Sequence, residues 1–146
     1  MIQRIQTIFL LVALTLGALL QFLCIQTLTT STETLQLCLM PGCLDGKVKS
    51  IIYLPMILNA LTALLTLVCI FLYNKRKLQM KLCNLLMVLN IMVCGSLFAF
   101  NYFLEEGTVD YKLISFFPLI NSLMAYLAAR NIKKDEELVR SADRIR

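Results

Sequence analysis

Four stretches of the chain carry no Asp, Glu, Lys or Arg: residues 5–32, 50–74, 82–104 and 113–129, which are 28, 25, 23 and 17 residues long. An amphipathic helix of a soluble bundle carries a polar stripe at the helical period. These runs show none, and their apolar residues go all the way round. A helix of about 20 such residues crosses roughly 30 Å of hydrocarbon. The first three runs reach that length. The fourth is short at about 1.5 Å per residue, but Lys112 and Arg130 flank it, and their aliphatic stems lengthen the span by snorkelling. The pattern predicts transmembrane helices over 7–28, 51–73, 82–103 and 113–129. The fold class is therefore all-α: an integral membrane four-helix bundle of two helical hairpins over residues 1–129. A cytoplasmic charged tail, 130–146, carries a short amphipathic helix. No small-residue cleavage site follows the first run, so it is expected to stay as an uncleaved helix.

Composition agrees with this pattern. Of the 146 residues, 59% are hydrophobic and 16% charged, against about 45–50% and about 25% in soluble domains. Mean hydropathy is +0.77. Such a chain is neither disordered nor an ordinary cytosolic enzyme. Its net charge of +5 would ordinarily raise nucleic acid as a partner, but the placement of the charge argues otherwise. With the amino terminus inside, 11 basic residues fall on the cytoplasmic side and Lys47, Lys49 and Lys112 outside. Basic residues in short loops resist translocation. Both termini are thus expected in the cytoplasm, with membrane lipid as the partner of the charge and no nucleic acid.

Polar residues inside the runs are few. Asn59, Asn90 and Asn121 lie nearest the midplane. Buried amides of this kind join helices, or they line a polar path. A coupled carrier more often uses an ionisable residue, and none falls within a predicted span. Pro55 falls in the first turn of the second span, where little is lost. Pro118 falls deeper in the fourth, where it can bend the helix. Ala13-x-x-x-Gly17, Gly95-x-x-x-Ala99 and Ala125-x-x-x-Ala129 permit close helix approach, within one bundle or in a homo-oligomer.

Of six cysteines, Cys38 and Cys43 flank Leu39-Met40-Pro41-Gly42 in the outer loop. Pro-Gly favours a tight turn, and the outer side is oxidising. A Cys38–Cys43 disulfide and two reduced thiols both stay open. Two thiols without further ligands do not complete a zinc site. No metal, cofactor or catalytic residue is expected, and the chain is not expected to be an enzyme. In the tail, Leu138, Ala142 and Ile145 share a helical face, and Glu136 and Arg140 form an i, i+4 pair.

The run Ala129-Arg130-Asn131-Ile132-Lys133-Lys134-Asp135-Glu136-Glu137-Leu138-Val139-Arg140-Ser141-Ala142-Asp143-Arg144-Ile145-Arg146 resembles the C-terminal signature of a bacterial membrane protein family without assigned function, domain-of-unknown-function family 4293. Met1-Ile2-Gln3-Arg4-Ile5-Gln6-Thr7 is similar to that family's opening, and Asn74-Lys75-Arg76-Lys77-Leu78-Gln79 to its central basic loop. The resemblance implies a four-helix protein of the bacterial cytoplasmic (inner) membrane, with no activity, substrate or cofactor attached.

All three segments lie on the cytoplasmic side of the predicted topology. The candidate interaction face is accordingly Gln3, Arg4, Arg76, Gln79, Lys133, Lys134, Asp135, Glu136, Arg140, Ser141, Asp143 and Arg144. The function expected is that of a non-enzymatic accessory protein, binding a protein partner at this basic face. The alternative is a small oligomeric transporter or channel with a path lined by Asn59, Asn90 and Asn121.

Overall fold

The structure, a computed structural model, describes residues 3–29, 34–39, 49–73, 75–99 and 108–143. The elements in chain order are α1 (Gln3–Phe22), β1 (Cys24–Thr29), β2 (Thr34–Cys38), α2 (Lys49–Phe71), α3 (Arg76–Ala99), β3 (Thr108–Tyr111), a 3-10 turn (Leu113–Phe116) and α4 (Phe117–Asp143). The all-α four-helix arrangement is as expected. Each helix carries a stretch long and apolar enough to cross a membrane: Ile5–Phe22, Tyr53–Phe71, Arg76–Ala99 and Leu113–Val139. The four pack as a ring, with α1 against α2 and α4, and α3 against α2 and α4.

The radial distribution of side chains shows which solvent the bundle is built for. Large aliphatic and aromatic residues point outward, among them Leu54, Leu64 and Phe71, at 61%, 60% and 71% exposure. The interior holds Gln6, Asn59, Thr62, Thr66, Gln79, Asn90 and Asn121, all buried. In water this arrangement would expose the apolar surface and bury polar groups at a cost. In lipid, outward leucines meet their own kind and the polar groups join helices. The chain is a multi-pass membrane protein.

The first span differs from expectation. Helix α1 ends at Phe22, and residues predicted to be helical up to position 28 form β1 instead. The run from Gln26 to Thr32 lacks charge but is rich in Gln, Thr and Ser. Absence of charge therefore overextends the span. Ile25, Thr27 and Thr29 are β-branched at period two, which suits a strand. Strand β1 is the centre of an antiparallel sheet of order β2-β1-β3. Its neighbours come from the two connections expected to be loops. An open sheet edge cannot sit in hydrocarbon, so the sheet lies at the end of the bundle. Ties to the helices hold it there. Gln26 Nε2 donates to the Leu97 carbonyl of α3 at 3.2 Å, and Gln21 Nε2 of α1 to the Leu39 carbonyl at 3.0 Å. Ser115 Oγ donates to the Ile25 carbonyl at 2.9 Å. Phe98 packs, tilted, against both Tyr111 and Phe116, with ring centroids 5.0 and 5.7 Å away. Burial beside this aromatic group pushes the Tyr111 hydroxyl pKa up.

The two prolines exchange the parts expected of them. Pro118 is the second residue of α4, following the 3-10 turn, where the helix needs no donor. Pro55 lies inside α2, which begins at Lys49, and so denies the Ile51 carbonyl its intrahelical partner.

At the C-terminal side, α4 runs unbroken from Phe117 to Asp143. The segment expected to be a short tail helix is thus the continuation of the fourth spanning helix. Its first turns belong to the bundle: Ile132 is fully buried in a cluster with Leu10, Cys69, Cys83, Leu86, Ala125, Ala128 and Ala129.

Candidate functional site

Among the described residues, most of the positive charge lies at the end of the bundle opposite the sheet. Lys75, Lys77, Lys81, Arg130, Lys133 and Lys134 are exposed there, and Arg76 is half-buried. The turn from α2 into α3 is tight. The Lys75 N–H donates to the Leu72 carbonyl at 3.0 Å, and the Lys75 carbonyl accepts from Leu78 and Gln79 N–H at 3.0 and 2.9 Å. This starts α3 at Arg76, so the basic loop expected between helices is largely the first turn of a helix. A cleft of about 460 Å³ opens between α1 and this turn, lined by Gln6, Thr7, Ile8, Ile70, Phe71, Tyr73, Arg76 and Gln79. Its lining mixes apolar side chains with one guanidinium and two amides.

Beneath that surface lie two buried polar contacts, one between α1 and α4 and one between α2 and α3. Gln6 Nε2 of α1 donates to Asp135 Oδ2 of α4. Asp135 is only 7% exposed, and its Oδ1 has no hydrogen-bond partner among the described residues. Gln79 Nε2 of α3 donates to the Cys69 carbonyl of α2 at 3.1 Å. The thiols of Cys69 and Cys83 meet at 3.6 Å beside it.

The candidate interaction face therefore divides. Lys133 and Lys134 are exposed, and Arg76 and Glu136 are half-buried. Ser141 is exposed, with its hydroxyl donating to the Leu138 carbonyl at 2.8 Å. Gln79 and Asp135 do not belong to that surface, since both are buried between helices. At helical spacing, Asp135 follows Ile132 by three residues and lands on the same inward face. Gln3 and Arg4 stand in the first turn of α1, and Arg140 and Asp143 in the last turns of α4. Arg144 lies outside the described residues. Gln6, which sequence reasoning left out, bridges the cleft and the buried carboxylate. Its position three residues after Gln3 and four before the buried Leu10 was the available signal.

The midplane asparagines are placed at helix contacts. Asn59 Nδ2 of α2 donates to the Gly17 carbonyl at 3.1 Å and to Gln21 Oε1 at 2.8 Å, both in α1. Asn90 Nδ2 bonds within its own helix, to the Leu86 carbonyl at 2.8 Å. Asn121 Oδ1 has no partner among the described residues. Asn90 and Asn121 line, with Thr62 and Thr66, a cavity of about 10 Å³, room for roughly one water.

Of the candidate disulfide, Cys43 lies outside the described residues. Cys38 faces Cys24 across the β1–β2 ladder, with the sulfurs 2.7 Å apart. Among the described residues no group of three or more His, Cys, Asp and Glu side chains converges as a metal site.

Neither the curated proteins nor the solved structures give a match to the chain. The family model described as "Domain of unknown function (DUF4293)" matches it over residues 2–145. That match takes in the opening segment, the basic turn and the long α4, so the chain belongs to the DUF4293 family.

Proposed function

We propose that this is a non-enzymatic accessory protein of the bacterial cytoplasmic membrane, with both termini inside, which binds a protein partner at its basic end. One observation carries the proposal. Beyond the buried Asp135, α4 continues to Asp143 as a helix that presents Leu138 and Val139, about half exposed, beside Lys133 and Lys134. An apolar strip flanked by cations on a rigid helix suits a partner with an apolar stripe and an acidic rim. The orientation rests on the basic residues gathered at this end.

The test is a photo-crosslinking amino acid at Leu138 in intact cells, compared with one at the lipid-facing Leu123. A discrete protein adduct at 138, weakened by Lys133→Glu with Lys134→Glu, supports the proposal. An adduct pattern at 138 that matches the one at 123 overturns it. A deletion experiment should truncate after Glu137, because a cut before Glu136 removes the buried Asp135 and one before Lys133 removes Ile132 as well.

A further inference from the structure

We infer that Cys24 and Cys38 form a disulfide that staples β1 to β2 on the exported face of the membrane. The two residues are direct partners in the antiparallel ladder, and their sulfurs stand 2.7 Å apart. The other thiol pair, Cys69 and Cys83, meets at 3.6 Å, an ordinary contact. Directly opposed residues of antiparallel strands have Cα atoms about 4.5–5.5 Å apart. That lies inside the roughly 4.4–6.8 Å that a disulfide spans. The sulfurs thus stand already inside van der Waals contact, at a ladder position next to a β-bulge between Cys24 and Gln26, and the bond, at about 2.05 Å, needs only a small further approach.

The location gives the bond a mechanical role. A single residue, Leu23, separates Cys24 from the end of α1. The next residue, Ile25, accepts at its carbonyl from Lys112 N at 3.1 Å and from Ser115 Oγ at 2.9 Å. Strand β1 thus links α1 to the start of α4, and β3 pairs along it. A covalent tie from Cys24 to the buried Cys38 fixes the hairpin on which these contacts hang.

The exported location rests on the topology proposed above. There the oxidant is a disulfide-donor protein of the extracytoplasmic compartment. Cys24, the more accessible of the two, attacks as thiolate on the donor's disulfide. A mixed disulfide forms and one donor sulfur leaves as thiolate. The Cys38 thiolate then attacks the Cys24 sulfur, the Cys24–Cys38 bond forms, and the second donor sulfur leaves. The two protons from the cysteines end on the donor's two thiols, and the donor is reduced by two electrons.

The experiment is peptide mapping of the full-length protein, alkylated at the moment of membrane solubilisation and digested without reductant. The expected product is a Cys24–Cys38 cross-linked peptide, with four of the six cysteines alkylated before reduction. Cys43→Ser keeps the cross-link, and Cys24→Ser removes it. A Cys38–Cys43 or Cys24–Cys43 linkage, or alkylation of all six cysteines, overturns the inference. A fluorescent-protein fusion after Arg146 reports the topology separately, because it matures only in the cytoplasm. Reduced thiols with a fluorescent tail sink the disulfide alone. Reduced thiols with a dark but expressed tail sink the topology with it.

Discussion

The contact between Gln6 and Asp135 tests whether the C-terminal segment is part of the bundle, and its size can be worked out. Gln6→Leu removes the only described donor to a buried carboxylate whose other oxygen already lacks a partner. A hydrogen bond to a charged group contributes about 1.5–3 kcal/mol, and the stranded group costs its desolvation. The single change should destabilise the fold by about 2–3 kcal/mol. Asp135→Leu strands the Gln6 amide but also removes the unpartnered Oδ1, so it should cost nearer 1 kcal/mol. With both positions Leu, no polar group is left behind, and the loss should fall below that of Gln6→Leu alone. The coupling energy is then about 1.5–3 kcal/mol, roughly a 10- to 150-fold change in the folding equilibrium. Denaturation in detergent micelles, followed by far-ultraviolet circular dichroism, measures all four corners of the cycle. Additive losses to within about 0.5 kcal/mol would refute the docking of α1 onto the end of α4.

Other outcomes follow from the same packing. Ile132→Ala should cost about 2–5 kcal/mol because the side chain is fully buried. Leu138→Ala should stay within about 0.5 kcal/mol, and the same micelle denaturation compares them. A Cβ added at Gly17 would meet Asn121 Nδ2 at 3.6 Å, an ordinary contact. Gly17→Ala should therefore leave stability unchanged or raise it by up to about 1 kcal/mol, and a comparable loss would show that the helices need the closer approach. Reduction of the Cys24–Cys38 bond, which closes a loop of about 15 residues, should lower stability by up to about 3 kcal/mol, read as a drop in Tm that Cys24→Ser abolishes.

Much of the plan was legible because lipid makes a coarse demand. Long uncharged runs can only be buried or face hydrocarbon, so the four helices and their hairpin order followed from the placement of charge alone. The ends of the spans were less legible. The uncharged run continues past Phe22 through Gln26, Thr27 and Thr29, and only pairing with β2 and β3 decides that this stretch is a strand. The alternation of Thr34-Leu35-Gln36-Leu37-Cys38 carried a period-two signal, one that the charge count does not register.

Residue roles at the two ends depended on tertiary contacts. In the sequence, Asp135 is one charge among many, beside Lys133, Lys134, Glu136 and Glu137. Its burial depends on where α1 begins, since Gln6 must arrive opposite it. The same holds for Cys24, an apolar-looking residue near a helix end until the sheet sets it against Cys38. One-dimensional counting of apolar and basic residues suffices for the solvent, for four membrane-length helices and for the gathering of positive charge at the turn into α3 and the end of α4. Which polar residues are buried partners and which are surface is a matter of the fold, because it depends on which faces meet across elements far apart in the chain.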